Sequence, residues 1–304
     1  MGSSVQILSS KNINRIKWDN CVKNSEHGVI YALSIYLDNM ADNWSGIVMG
    51  DYEAVMPVPW RKKWGVRYTY DVPFIQQLGW FCQNNNCNVK QLLRRLFKFV
   101  RYGSYSFNFC NKLNYNNLIS NNNFIIHLSA PYNNIYSHYK TDALNNLKKA
   151  SRYNLTIQPC HIELAIKMYE NEYRARLLNT TEKDYQNFTA LCNALEKQQM
   201  VFARQVFDEA ANQILGTGLF LRDSRRIYNL MNTTTEQGKL KSANHVLIDN
   251  VLKEFAGTGL IFDFEGSDIP GIKQFYEKFG AINQPYPRLQ KFNLLPFPAS
   301  LLKR

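Results

Sequence analysis

The chain has 304 residues, with 36 Lys and Arg against 24 acidic residues, a formal charge of +12 and 45% hydrophobic residues. At about 100–200 residues per domain that length predicts two domains, each able to bury a core without disulfides or metals, and 36 Phe and Tyr with only 20% charged residues exclude intrinsic disorder. No apolar run approaches the roughly 18–20 residues of a membrane span, and the start MGSSVQILSS has neither the basic nor the apolar region of a secretory signal.

In chain order, helices are expected over 15–23 and 33–41, then strands over 44–49 (WSGIVM) and 52–59 (YEAVMPVP) around a Gly50-Asp51 turn. A strand at 66–70 precedes a basic amphipathic helix at 89–101, whose Leu92, Leu93, Leu96, Phe97 and Val100 share one face. Strands near 104–110 and 123–129 close this first round. A helix-rich stretch follows over 137–198, with Ile162, Ala165, Ile166, Tyr169, Tyr173 and Leu177 recurring every three or four residues as a core-facing stripe. The second round has strands at 201–207, 213–221 and 226–231, then a polar loop at 232–241 and a helix from Ser242 to about Ala256, stopped by Gly257. A strand at 260–264, a helix at 270–279 opened by Pro270, and a last strand near 289–295 complete the chain.

Positive charge is concentrated in the first half. Residues 1–150 carry 17 basic and 8 acidic residues, a net of +9, while residues 151–304 carry 19 and 16, a net of +3. No acidic residue occurs between Asp71 and Asp142, a stretch holding Lys90, Arg94, Arg95, Lys98, Arg101, Lys112 and Lys140. A phosphate-bearing substrate, RNA or an anionic membrane surface would satisfy such an asymmetry; so would a plain preference for Asn over Asp. The six cysteines are scattered, and Cys82 and Cys87 have no second pair at zinc-ligand spacing, so no metal is expected and a reducing cytoplasm fits. The five histidines form no motif; His245 follows the polar loop, where it either approaches a ligand or packs. No G-x-S-x-G elbow occurs.

The segment 226–265 is the most informative. A polar loop containing Gln237, Gly238 and Lys239 opens a helix whose free N–H groups are expected around Ser242 and Ala243, an anion site that Lys239 and Lys241 would strengthen; an ordinary solvated loop is the alternative. Three stretches carry a family resemblance. DYEAVMPVPWRKKWGVRYTYDVPF (51–74), SHYKTDALNNLKKASRYNL (137–155) and FAGTGLIFDFEGSDIPGIKQFYEKFGA (255–281) resemble the Fem-type branch of the GNAT acyltransferases. The resemblance implies an α/β (α+β) protein of two tandem GNAT-like domains, each a mixed, mostly antiparallel sheet flanked by helices. Their expected extents are 1–136 and 137–284, the second with a helical insertion over 137–198, and the strand in 285–304 returns towards the first domain.

Fem-type enzymes move an amino acid from aminoacyl-tRNA onto a peptidoglycan precursor. The resemblance therefore implies an N-acyltransferase whose anionic substrate, a small molecule or cell-wall precursor, meets basic residues between the domains. Arg61, Lys62 and Lys63 are the candidates, with Tyr68, Tyr70, Gln76 and Gln77 near them; packing in the sheet is the other role open to those tyrosines. The family has Phe-Lys before its Phe-Gly, whereas this chain has Phe275-Tyr276, with its lysine at Lys278. Gln237, Gly238, Lys239, Ser242 and Ala243 have the residue types of a coenzyme A loop without its spacing.

Acyl transfer to an amine needs positioning, an oxyanion donor such as an amide at a strand bulge or helix start, and a proton acceptor. Asp263 and Glu265, expected on one face of their strand by alternation, are candidate acids or bases beside Tyr276 and Lys278. The donor is aminoacyl-tRNA or acyl-CoA, with no covalently bound cofactor. Two alternatives stand beside this reading: a coenzyme A-dependent acetyltransferase using the second domain alone, and a non-enzymatic RNA or polyanion binder built on residues 72–141.

Overall fold

The computed structural model describes residues 4–83, 87–115, 118–174, 180–266 and 268–296. The chain divides into two units, one reaching to Asn121 and resuming at Pro285, the other spanning Asn122–Gln284.

The first unit contains β1 (Val5–Ser9), α1 (Arg15–Asn24), α2 (Ser34–Met40), β2 (Trp44–Met49) and β3 (Ala54–Pro59). The hairpin of β4 (Arg61–Lys63) and β5 (Val66–Thr69) follows, then β6 (Phe81–Cys82), α3 (Val89–Phe99), β7 (Tyr102–Ser106) and β8 (Leu118–Asn121). One sheet runs β1-β2-β3-β6. Its β2 and β3 are buried along their whole length, which is why both read as nearly continuous apolar runs. Gly46 of β2 lies against Trp18, where a Cβ would come within 2.4 Å of the indole ring. Pro57 and Pro59 are tolerated in β3 because β6 pairs only with Ala54 and Val55. Leu92, Leu96 and Val100 are fully buried, as the spacing of that helix predicts.

The second unit contains β9 (Phe124–His127), α4 (Tyr132–Ser137), α5 (Thr141–Ala150), β10 (Leu155–Pro159), α6 (Ile162–Tyr173) and α7 (Glu182–Glu196). It continues with β11 (Val201–Asp208), β12 (Gln213–Arg222), β13 (Arg226–Thr234), α8 (Glu236–Leu240), α9 (Ala243–Glu254), β14 (Ile261–Asp263), α10 (Pro270–Lys278) and β15 (Ile282–Asn283). The strand order is β10-β11-β12-β13-β14-β9-β15, antiparallel except for the parallel pair β13–β14 joined through α9. Leu247, Ile248, Val251 and Leu252 of α9 pack with Phe262, Phe264 and Phe279 in one core. The chain then re-enters the first unit as β16 (Tyr286–Asn293), which lies between β7 and β8 in the sheet β4-β5-β7-β16-β8.

Several boundaries differ from the sequence expectation. The units divide at Asn121/Asn122 and not at 136/137, because β9 pairs Ile126 opposite Phe262 and so belongs to the second sheet. The helix-rich stretch contains a strand, β10, whose Leu155 and Ile157 pack on the second core. The stripe of α6 buries Ile162, Ala165 and Ile166, and Leu177 lies outside the described residues. Cys82 and Cys87 form a disulfide with Cα atoms 6.3 Å apart, a pairing that reducing surroundings do not favour. Among the described residues no helix is long and apolar enough to cross a membrane.

The parallel pair is clamped at one end. Arg226, the first residue of β13, donates to the Asp263 carboxylate at the end of β14, and the two side chains are only 5% and 2% exposed. Asn123 donates to the same carboxylate at 3.2 Å, and Arg226 reaches Gln284 at 3.0 Å, so the clamp ties both ends of the unit into its sheet. A buried charge left alone is costly, whereas a well-packed apolar replacement of both partners is not. Asp263→Ala is therefore expected to lower stability by about 3–5 kcal/mol in urea denaturation. The double change Arg226→Met with Asp263→Leu should recover most of that loss.

Candidate active site

The ladder between β13 and β14 is short, ending at the pair Tyr228–Asp263. Beyond it β13 continues alone on that side for six residues, Asn229 to Thr234. A register shift against β12, between Leu219–Met231 and Phe220–Asn229, leaves Leu230 as an extra residue. Such a bulge inverts the in–out alternation, so Asn229, Asn232 and Thr234 come to one face instead of alternating across the sheet. These three side chains line a cavity of about 340 Å³. Its other walls are Tyr173 of α6, Gly238 and Lys239 of α8, Ser242, Asn244 and His245 at the start of α9, and Gly271, Ile272, Phe275 and Tyr276 of α10.

Four buried polar atoms in this wall have no hydrogen-bond partner: Asn229 Oδ1, Asn232 Nδ2, Asn244 Oδ1 and His245 Nε2. Each such group costs free energy while it is left unpaired, and all four belong to residues that line this one cavity. The His245 ring packs edge-on to Phe275 at 4.9 Å. Burial pushes its pKa down to about 4, with Asp142 opposing and Lys278 assisting the shift, so the imidazole is neutral at physiological pH.

The expected phosphate loop takes another form. Residues 236–240 are a helical turn, α8, capped by Thr235, whose hydroxyl accepts from Gly238 N at 3.0 Å. The amides of Lys239, Lys241 and Ser242 donate to Thr235, Gln237 and Lys239 carbonyls, so these three N–H groups of the turn before α9 are already engaged. Both lysines are paired as well, Lys239 with Glu236 at 2.5 Å and Lys241 with Asp208. Gln237 is exposed, Ala243 is fully buried, and Ser242 donates to Asn146 at 2.8 Å. Of the five residues expected to hold a cofactor, Gly238, Lys239 and Ser242 line the cavity and Gln237 and Ala243 do not.

Asp263 and Glu265 do not share a strand face, because β14 stops at Asp263 and Glu265 has a left-handed backbone with φ of 70°. Asp263 is committed to Arg226, to Asn123 and to the Glu265 N–H at 2.8 Å, a positioning role. Glu265 is half-buried, and burial pushes its carboxyl up to about 8. Its charge helps to raise the pKa of Tyr276, a wall of the cavity, although burial of that phenol is the larger cause. Lys278 pairs with Asp142 at 2.5 Å and does not line the cavity.

In the first unit Arg61 pairs with Asp42 at 2.5 Å and lies over the Tyr70 ring at 3.9 Å, while Tyr68 stacks on Tyr102 at 4.9 Å. Gln77 is buried, donating to Gln76 and accepting from Phe109 N. The small cavity beside Tyr70 and Gln76, about 20 Å³, has room for one water and is too small for a substrate. Lys62 and Lys63 lie on the β4–β5 hairpin, away from that cavity. Among the described residues no three of His, Cys, Asp and Glu gather as metal ligands would.

No family model and no curated protein matches this sequence. Among solved structures the chain is similar to FemX, with a TM-score of 0.69 and 11% identity over 98% of this chain and 99% of that one. It is also similar to L-PGS from Bacillus licheniformis (TM-score 0.55, 10% identity, 95% of each chain). A tandem GNAT protein of the clavulanic acid pathway aligns with a TM-score of 0.53 and 8% identity over 97% and 100% of the two chains. The chain has the tandem GNAT-like fold of the Fem type. In this Fem-type fold the cavity lies where the two parallel strands of the second unit part, a polar recess whose α8–α9 wall the sequence singles out and whose asparagines it does not.

The Glu265 carboxyl does not line the cavity but acts on Tyr276, which does, and it makes the stability of this region pH-sensitive. Its folded pKa of about 8 lies above the unfolded value, so the stability it contributes is complete below about pH 4.5 and is lost as pH rises through 8. Glu265→Gln is expected to leave the melting temperature unchanged at pH 4–5. At pH 9 it should raise it by roughly 2–4 °C for each kcal/mol relieved, read by thermal scans across that range.

Proposed function

We propose that the protein is an N-acyltransferase that moves an aminoacyl group onto an amine, with the acyl part of the donor held in the second-unit cavity. The four unpartnered polar atoms of its wall carry this reading. Asn229 and Asn244 offer carboxamide oxygens that accept hydrogen bonds, as an α-ammonium requires. Asn232 offers an N–H, which suits a carbonyl oxygen gaining charge as the amine attacks. Holding amine and carbonyl together supplies up to about 7–11 kcal/mol of barrier lowering in ideal cases. The amine's proton needs an acceptor as the C–N bond forms, and the departing ester oxygen needs a proton as the C–O bond breaks. Glu265, which lies behind Tyr276 and outside the cavity lining with its carboxyl near 8, takes the first proton and returns it to the leaving alcohol.

The donor is an aminoacyl ester, as in aminoacyl-tRNA, in preference to acyl-CoA. A coenzyme A diphosphate asks for free amides at the α8–α9 turn, and those of Gly238, Lys239, Lys241 and Ser242 are spent internally. The acceptor is an amine on an anionic molecule, the class to which a cell-wall precursor belongs, for which the net charge of +9 in the first half is suited.

Filter binding with aminoacylated and deacylated bulk tRNA, beside calorimetry with acetyl-CoA, tests the proposal. Charged tRNA should bind tighter than uncharged, and Asn232→Leu should erase roughly 5–100-fold of that preference. Saturable acetyl-CoA binding with no preference for charged tRNA would make the donor a thioester and sink the aminoacyl reading.

A further inference from the structure

We propose that the β4–β5 hairpin is a membrane-docking element, seating Trp64 among the headgroups of an anionic lipid bilayer. The inference rests on the first unit alone and stands apart from the transferase reading.

Trp64 and Gly65 form the two-residue turn of the hairpin, with φ of 52° and 81°. Positive φ at both positions belongs to the mirror-image turn that Asn, Asp and Gly favour, and a bulky residue there is strained. The chain nevertheless places its largest side chain at this point, 72% exposed. The other four tryptophans each pack against a neighbouring ring: Trp18 with Trp44, Trp60 with Phe99, Trp80 with Phe107. Among the described residues no ring contact holds Trp64, and a Cβ built on Gly65 meets nothing within 4 Å, so the tip stands clear of the described fold. Local structure gains nothing from an indole here, and its use lies outside the chain.

The charges behind the tip say what it meets. Lys62 is directly opposite Arg67 in the hairpin register, and both are exposed. Like charges across a strand pair are destabilising, unless an anion sits over them. Lys63 adjoins Trp64, and none of Lys62, Lys63 and Arg67 forms an ion pair with a described residue, although Arg61 at the base of the same strand is matched by Asp42. The Arg67 guanidinium lies over Phe99 at 4.6 Å, in the last turn of α3, which also carries exposed Lys98. Arg94 and Arg95 are exposed one turn earlier on the same helix. An indole, apolar in body with one N–H, ringed by unpaired cations matches the boundary layer of a bilayer, where ring carbons leave water and cations meet phosphodiesters. A single-stranded nucleic acid asks instead for successive open aromatic faces, and the neighbouring Tyr68 and Tyr102 are stacked on one another.

The test is co-sedimentation of the full chain with phosphatidylcholine vesicles, with and without roughly a third of phosphatidylglycerol, at low and high salt. Binding is expected only with the anionic lipid, weakening with salt and blue-shifting Trp fluorescence. Trp64→Ser should reduce it at least tenfold while leaving the melting temperature equal or higher, and Trp64→Phe should retain most of it. Lys62→Glu with Lys63→Glu should reduce it at least tenfold. The proposal falls if the protein ignores anionic vesicles, if Trp64→Ser binds as well as the parent, or if an RNA oligonucleotide displaces the vesicles in a manner that depends on Trp64.

Discussion

The second unit is organised around one buried contact, the ion pair between Arg226 and Asp263. It joins two parallel strands that share only three residue pairs, from Arg226–Ile261 to Tyr228–Asp263. So short a ladder could not hold them alone, and a guanidinium satisfied by a carboxylate and an amide oxygen in a dry site does so with defined geometry. Because the clamp sits at the beginning of β13, the rest of that strand is free to leave β14, and the opening is the cavity. The helix α9 that connects them starts in the cavity wall and continues into the core, so recognition and packing draw on one element.

Much of the architecture is legible in the sequence. The apolar runs of β2 and β3, the stripe of α3 and the cap positions around α10 follow from pattern and turn chemistry, while the return of the late strand to the first unit is what the family resemblance implies. The family resemblance supplies the pairing of two similar units, which periodicity alone does not. What escaped is instructive. Residues 232–234 read as loop because Asn-Thr-Thr is polar, yet they are strand: their polarity faces a cavity and not solvent. The common face of Asn229, Asn232 and Thr234 is created by a one-residue bulge, and alternation read from the sequence puts Asn232 on the face opposite Asn229. The expectation that Asp263 and Glu265 are neighbours on one face fails for the same kind of reason, since one left-handed residue ends the pleat. A lone histidine such as His245 gives no local signal of its surroundings; only the packed Phe275 and an Nε2 buried without a hydrogen-bond partner distinguish it.

The two units have different chemical characters. The second concentrates neutral amides, a neutral imidazole and phenols around its cavity, and the one lysine in the cavity wall, Lys239, is paired with Glu236. The first has an interior held by tryptophans and a hairpin whose cations lack counter-charges. A protein that handles a polar donor and an anionic partner has use for both characters, and the chain keeps them on separate structural supports.

The position of β16 also bears on how the protein comes into being. This strand is made after the whole second unit, yet it lies between β7 and β8 in one sheet of the first. Until it has left the ribosome, β7 and β8 have no strand between them, and each presents an unpaired edge to other chains. The second unit is contiguous and can close during synthesis, whereas the five-stranded sheet of the first waits for β16 although its other strands were translated earlier. For that sheet the order of completion is the reverse of the order of synthesis, and the interval before β16 arrives leaves two strand edges open to other chains.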